Sequence, residues 1–179
     1  RVYRRQDLAV FSNAVDRHLK SLVNAGDLQK LAAGLYYAPR QSVFGKLPPD
    51  DDEVVRGFLR DDDFLVFSPS LYNAAGMGTT QLYNHTVVYN RKRHGRFKLG
   101  NRVFDFRMKS YFPNKLSDTF LFVDLLNNAD ELAEETKNLW AHAAVKAQQL
   151  STVELEDALK AYGNMATTKR MREMLHATS

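Results

Sequence analysis

The chain has 179 residues, 44% of them hydrophobic, which is ordinary for a folded globular protein and enough to bury a sizeable core. It contains no cysteine, which excludes a disulfide scaffold, a thiolate nucleophile and cysteine-ligated zinc or iron–sulfur sites. No apolar run approaches the ~18 residues that cross a bilayer, and no apolar signal segment opens the chain, so we expect a cytoplasmic protein without membrane association.

The net charge of +4 is unevenly distributed along the chain. Residues 1–46 carry eight lysines and arginines against three acids, and residues 64–110 carry eight against one. Residues 47–63 between them carry two cations against seven acids. Two basic segments separated by an acidic one indicate a surface that faces a polyanion.

The N-terminal part of the chain is predicted to contain a helix followed by a β-hairpin. Ser12 and Asn13 offer side chains that can cap a helix running to about Ala25, and its apolar residues recur with helical spacing. Gly26 follows where a left-handed residue commonly ends a helix. The other predictions for this part are an extended piece at 2–6, a short helix at 7–10, strands at 27–31 and 35–38, and a tight turn at 32–34.

The stretch GKLPPDDDEVV combines prolines with acids, which favours a linker leading into a helix. We therefore predict a domain boundary at 46/47. The later elements predicted from the sequence are a helix at 51–60, strands at 64–67 and 85–90, a short helix at 68–75, a hairpin around Gly100 and Asn101, and helices from Leu116 onward.

The order helix, glycine, strand, tight turn, strand is that of the second half of a winged helix-turn-helix. In such a domain one helix enters the DNA major groove and a hairpin wing contacts the backbone. We predict an α+β protein with a winged helix-turn-helix DNA-binding domain at 1–46. A C-terminal domain of a small antiparallel sheet plus helices is predicted to follow at 47–179.

The stretch AVDRHLKSLVNAGDLQKLAAGLYYAP, within residues 12–39, resembles the N-terminal winged helix of the AbiEi family of bacterial antitoxins, which belong to type IV toxin–antitoxin systems. The stretch FSPSLYNAAGMGTTQLYNHTVVYN continues the resemblance more weakly. The resemblance implies a repressor that binds double-stranded DNA at its own operator and counteracts a nucleotidyltransferase-like toxin. A complete winged helix has a further helix before VYRRQ, and we expect that helix to lie upstream of Arg1.

The candidate DNA contacts are polar and basic residues on the predicted helix and beside it. We expect Asn13 and Arg17 to read base edges, because they lie one turn apart near the helix N-terminus. The remaining candidates are expected to contribute mainly through the phosphate backbone or through general polar contacts. They are Arg4, Arg5, Ser12, Lys20, Ser21 and Lys30.

A second basic cluster occurs in the run NRKRHGRFK at what the sequence predicts to be a hairpin bend. Such a cluster can neutralise several phosphates, or it can simply be a solvated turn. Its members are Arg91, Lys92, Arg93, Arg96 and Lys98.

No pattern of catalytic residues or metal ligands stands out. The five histidines lack HExxH or related spacing, and the acidic triplets 50–52 and 61–63 suit helix ends and solvated surface. We expect no enzymatic activity, no cofactor and no metal. Two alternatives to DNA binding remain open: a toxin-antagonising interaction module with a scaffold winged helix, or an RNA-binding factor that uses residues 91–98.

Overall fold

A computed structural model describes residues 1–74, 84–131 and 136–177. The protein is mixed α and β with small sheets, and the chain forms two compact units. The first unit contains residues 1–66 and 85–108, and the second contains 67–84 and 109–179. Within the described ranges, no helix combines the length and apolar character needed to cross a membrane.

The first unit begins with short elements around one longer helix, followed by a mixed sheet. Its N-terminal elements are β1 (Val2–Arg4), α1 (Arg5–Leu8), a 3-10 turn (Ala9–Phe11), α2 (Val15–Ala25), β2 (Gln29–Ala32), β3 (Leu35–Tyr37), β4 (Arg40–Ser42) and β5 (Gly45–Leu47). Its later elements are α3 (Asp51–Leu59), β6 (Phe64–Phe67), β7 (His85–Asn90), β8 (Gly95–Leu99) and β9 (Arg102–Met108). The strands form three sheets, in the orders β1-β3-β2, β4-β5 and β6-β7-β9-β8.

Helix α2 begins and ends close to the predicted residues, but its start differs in detail. The N-cap position is occupied by Ala14, and no side chain makes a capping hydrogen bond there. The prediction that Ser12 and Asn13 cap the helix is therefore wrong. The Ser12 hydroxyl instead accepts a hydrogen bond from the Ala14 N–H at 3.0 Å, which stabilises the turn before the helix. Gly26 ends the helix as predicted, with φ +80° and its N–H directed at the carbonyls of the last turn.

The four-stranded sheet is mixed, which corrects the predicted antiparallel sheet. β7 runs parallel to β9, with Val88 opposite Phe106, whereas β8 pairs with β9 antiparallel, with Phe97 opposite Phe104. β9 therefore lies between β7 and β8, so residues 91–94 join strands that are not neighbours and do not form the predicted hairpin bend. The predicted hairpin around Gly100 is confirmed.

The main core of the first unit crosses the predicted boundary at 46/47. Leu35 and Tyr37 of β3 pack in one buried cluster with Val54 and Val55 of α3 and with Phe106 of β9. The β1-β3-β2 sheet therefore shares its main core with the mixed sheet. The structure thus places the division between compact units elsewhere, and the predicted linker contains strand β5.

The second unit is helical. Its elements are α4 (Leu71–Ala74), α5 (Asp118–Asn127), a 3-10 turn (Ala129–Glu131), α6 (Thr136–Ala147), α7 (Thr152–Tyr162) and α8 (Met165–Ala177). The Ser117 hydroxyl caps α5 by accepting from the Phe120 N–H, and α5 is buried along most of its length. The predicted helix at 68–75 begins only at Leu71, and its predicted end at Gly76 lies outside the described residues.

Leu35→Ala should test whether the first unit has one shared core. Leu35 is 3% exposed, so we expect truncation to lower the free energy of unfolding by about 2–5 kcal/mol in urea titration. Amide protection in β3 and β9 should fall together, as seen by hydrogen exchange. The control is Leu22→Ala, because Leu22 is 40% exposed and its loss should matter far less. Loss of protection confined to the β1-β3-β2 sheet would contradict a shared core.

Candidate nucleic-acid interface

Helix α2 presents one buried face and one polar face. Val15 and Leu19 are buried in a small cluster with Leu28, which holds the helix against the β1-β3-β2 sheet. Burial of this stripe leaves the rest of the helix surface in solvent. The exposed residues on or beside it are Asn13, Asp16, Arg17, His18, Lys20, Ser21 and Asn24.

Three of the predicted DNA contacts carry charge that is not neutralised within the described part of the chain. Arg17, Lys20 and Lys30 are exposed and have no carboxylate within 4 Å among the residues that the structure describes. Arg17 and Lys20 lie on α2, and Lys30 lies on β2, the strand that follows it. These cations are therefore available to an external anion.

Arg5, the first residue of α1, is bound to an acid on α2. Its Nε and Nη2 donate to the two carboxylate oxygens of Asp16, each at 2.6 Å, in a bidentate pair. This hydrogen bonding lowers the pKa of Asp16 and raises that of Arg5. Asp16 is the one acid in the sequence of α2, so Arg5 cancels the charge that would repel a phosphate from this helix.

Arg4 is a structural residue in this fold, although the sequence suggested a phosphate contact. Its guanidinium donates to the backbone carbonyls of Gly57 and Phe58, near the end of α3. Burial, followed by the nearby charge of Arg60, lowers the pKa of Arg4. Arg4 thereby links β1 to α3, and its guanidinium is engaged by these carbonyls instead of making the predicted phosphate contact.

Ser12 shapes the approach to α2. In addition to accepting from Ala14, its hydroxyl lies 3.0 Å from Nδ1 of His18. Because the hydroxyl already makes these two local contacts, Ser12 is better suited to holding the turn than to contacting a base.

The turn between β2 and β3 is held against the start of α1. The Arg5 N–H donates to the Gly34 carbonyl at 2.9 Å, and Gly34 has φ +70°, a left-handed conformation that favours glycine. The hairpin is thus short and fixed at its tip. It differs in this respect from a long wing that extends beyond the domain.

The β4-β5 hairpin was missed by sequence analysis, which assigned part of it to a linker. Its Lys46 Nζ donates to the carbonyl of Gly26 at 2.6 Å, so the hairpin is attached at the C-terminal end of α2. The signal that could have found it is the run RQSVFGK, where an apolar pair and a glycine lie between cations. The prolines and acids that follow outweighed this short pattern.

A polar cleft lies between the β4-β5 hairpin, strand β2 and the β8-β9 turn. It has a volume of about 340 Å³ and contains Lys30, Lys46 and Arg102 in its lining. Arg102 is ion-paired to Asp51 and donates to the Pro49 carbonyl at 2.7 Å, whereas Lys30 extends the cationic surface of α2 toward the cleft. The Gly100 N–H donates to the Leu31 carbonyl at 2.8 Å, which fixes the turn of β8-β9 beside β2.

Two of the five cations in the second basic cluster are paired with acids of the triplet 61–63. Arg91 is ion-paired to Asp63, and Lys92 Nζ lies 2.8 Å from a carboxylate oxygen of Asp61. The hydrogen bond from Lys92 lowers the pKa of Asp61. Asp61 and Asp63 are thus counterions of the basic loop, whereas Asp62 pairs with Arg56 of α3.

The other members of the cluster do not converge on one surface site. Arg93 stacks over the rings of Phe58 and Phe97, with its guanidinium carbon 5.0 and 5.7 Å from their centroids. Arg96 lies 3.8 Å from Asp105, and Lys98 is exposed without an ion pair to the described residues. The predicted patch therefore offers less uncompensated charge than its sequence suggests.

Histidines and acids do not gather into a metal site among the residues described: no three such side chains lie together there. His85, at the start of β7, has its pKa lowered by burial and then by the charge of Arg96.

Comparison with known proteins gives no family assignment. No protein-family model matches the chain, and a search of curated proteins finds no match.

Arg4→Gln and Arg5→Gln should separate a structural arginine from a surface one. Loss of Arg4 leaves two carbonyls without a charged donor, so we expect the free energy of unfolding to fall by about 1–3 kcal/mol in urea titration. Arg5→Gln removes an exposed pair and should be milder. Equal stability of the Arg4 variant and the native protein would contradict the structural assignment.

Proposed function

We propose that this protein is a sequence-specific DNA-binding repressor with an N-terminal winged helix-turn-helix, in which α2 enters the major groove. The observation that carries the proposal is the exposed polar face of α2, where Arg17 and Lys20 have no ion pair among the described residues. Other basic residues of the first unit, Arg91 and Lys92 among them, are paired with acids. Uncompensated cations on one helix are the charge pattern expected for a duplex-binding surface.

The shape of α2 agrees with this proposal. The helix has 11 residues, so it is about 16 Å long, and its apolar stripe packs on the three-stranded β1-β3-β2 sheet. A single helix docked in this way can present its N-terminal turns to a major groove. Asn13 and Arg17 are the residues placed to read base edges there.

The local charges on α2 also favour phosphate contact. Asp16 lies on the exposed surface between Asn13 and Arg17, where a bare carboxylate would repel DNA. The bidentate pair with Arg5 offsets that repulsion. Arg5 therefore contributes to DNA binding indirectly, while Lys20 and Lys30 provide phosphate contacts.

The biological partner is proposed on the resemblance to AbiEi antitoxins. We propose that the DNA is the protein's own operator and that the second unit counteracts a nucleotidyltransferase-like toxin. The candidate contacts for that partner are exposed apolar side chains, one on each of three helices of the unit. They are Val145, Val153 and Met165, which are 59%, 71% and 92% exposed.

An RNA-binding role for residues 91–98 is the weaker candidate. Arg91, Lys92 and Arg96 each lie within ion-pair distance of an acid, and Arg93 covers two phenylalanine rings. A polyanion at this loop would have to displace those partners. On α2, a polyanion that binds Arg17 and Lys20 would displace no acid among the residues that the structure describes.

A mobility-shift titration over several salt concentrations should test the DNA surface. We expect Arg17→Ala to lose about 1–3 kcal/mol on duplex from the protein's own upstream region and to lose preference over a scrambled duplex. Lys20→Ala should weaken both duplexes alike and reduce the salt slope by about one unit. The matched control is Arg91→Ala, which removes an arginine already paired to Asp63 and should leave binding nearly unchanged.

The same titration distinguishes the alternatives. If Arg17→Ala weakens both duplexes by one factor, Arg17 contacts phosphate and does not read a base. If Arg91→Ala abolishes binding while Arg17→Ala and Lys20→Ala do not, the 91–98 loop is the interface and the proposal is wrong.

Toxin antagonism should survive loss of DNA binding. When expressed from an unrelated promoter, the double variant Arg17→Ala with Lys20→Ala should still rescue growth from an adjacent nucleotidyltransferase-type toxin, because its second unit is intact. Val153→Asp with Met165→Asp should lose rescue while keeping DNA binding, since it places a charge at two of the candidate apolar contacts of the second unit. Loss of rescue by the first variant at normal abundance would contradict this division of labour.

A further inference from the structure

The tip of the β4-β5 hairpin exposes two large apolar side chains side by side. Val43 is 93% exposed and Phe44 is 96% exposed. Single exposed apolar residues are common on protein surfaces, but an adjacent pair at the end of a projecting hairpin offers a compact contact site.

The hairpin is built to hold these two residues outward. Its strands pair in antiparallel register, and the Ser42 hydroxyl donates to the Gly45 carbonyl at 2.8 Å. The same hydroxyl accepts from the Phe44 N–H at 3.1 Å. Gly45 has φ +107°, which L side chains rarely adopt, so the turn requires glycine there.

The base of the hairpin is fixed beside α2. Lys46 donates to the Gly26 carbonyl at the C-terminus of α2, and Arg40 lies 3.1 Å from Asp50. The interaction of Lys46 with that carbonyl also places a cation at the negative end of the helix dipole. The position of the tip is therefore coupled to that of the proposed DNA-reading helix.

Charge on this part of the chain favours a polyanion as the occupant. Between Asp27 and Asp50 the sequence contains no acid, and its cations are Lys30, Arg40 and Lys46. Lys30 and Lys46 line the same polar cleft at the base of the hairpin. A hairpin segment that carries cations, no acids of its own and an apolar tip matches a nucleic-acid groove, where phosphates flank stacked bases.

The β2-β3 hairpin is poorly placed to insert an apolar tip into DNA. The β2-β3 turn is bound to α1 through the Arg5 N–H and has no apolar pair at its tip. We propose that the β4-β5 hairpin is the DNA-contacting wing and that Phe44 is an apolar wedge that enters the minor groove and partly unstacks a base step. This inference rests on the proposed DNA binding by α2.

The test uses the upstream duplex with 2-aminopurine at successive positions in one probe set, and with a donor and acceptor dye at its ends in another. Native protein should increase 2-aminopurine fluorescence at one step and shorten the end-to-end distance, because a wedge unstacks and bends DNA. Phe44→Ala should lose both signals and weaken binding by about tenfold. Phe44→Leu should retain part of the bend, since leucine also acts as a wedge.

Two controls separate the wedge from general effects. Tyr111→Ala removes an aromatic side chain that is 78% exposed in the second unit, and it should leave fluorescence, bend and affinity unchanged. Lys20→Ala should lower affinity but retain the bend at saturating protein. Circular dichroism of Phe44→Ala should match that of the native protein, because the side chain has almost no contacts to lose.

The outcomes distinguish this inference from the function on which it rests. If native protein binds the duplex and Phe44→Ala binds and bends it equally, the wedge is wrong and α2 binding stands. If native protein binds no duplex, both proposals fail. A dimer that dissociates on Phe44→Ala in sedimentation, with DNA bending unchanged, would assign the tip to a second copy of the chain and overturn the wedge.

Discussion

The first unit depends on one core that the β1-β3-β2 sheet and the four-stranded mixed sheet share. Leu31 and Leu35 of the N-terminal hairpin pack with Val88 and Phe104 of the mixed sheet, and the Gly100 N–H binds the Leu31 carbonyl beside them. This contact fixes β2 and β3, and they in turn support α2 through the smaller Val15 cluster. The orientation of the polar face of α2 is therefore a consequence of packing formed by residues far along the chain.

Pairing of charges, more than their number, distinguishes the two basic regions. The 91–98 run has more cations, yet Arg91 and Lys92 bind the acids of the 61–63 triplet, which is close in space and distant in sequence. On α2 the single acid is Asp16, and Arg5 binds it in a bidentate pair. Ion pairing thus neutralises two cations in the 91–98 run, whereas on α2 it neutralises the acid. Helix α2 is therefore the more electropositive element available to DNA.

Local elements with strong periodicity or turn residues could be predicted from the sequence. The run of apolar and aromatic residues predicts the strand Phe64–Phe67. Glycines, which readily adopt positive φ, predict the end of α2 at Gly26 and the hairpin around Gly100. Long-range pairing could not be predicted: the parallel pair β7-β9 and the bond from Arg4 to the Gly57 carbonyl join segments whose relation no local pattern encodes. The β4-β5 hairpin was missed because three-residue strands beside prolines carry little signal.

The surface of the protein that binds DNA is mapped most directly by NMR chemical-shift changes as the upstream duplex is added. We expect the largest changes at the amides of Asn13, Arg17 and Ser21 and at the Arg17 guanidinium, with smaller changes at Lys30. Residues 91–98 should shift little, because Arg91 and Lys92 remain bound to protein acids and Arg93 remains stacked on two phenylalanine rings. Changes centred on the 91–98 loop, with α2 unaffected, would contradict the assignment of α2 as the DNA-binding helix.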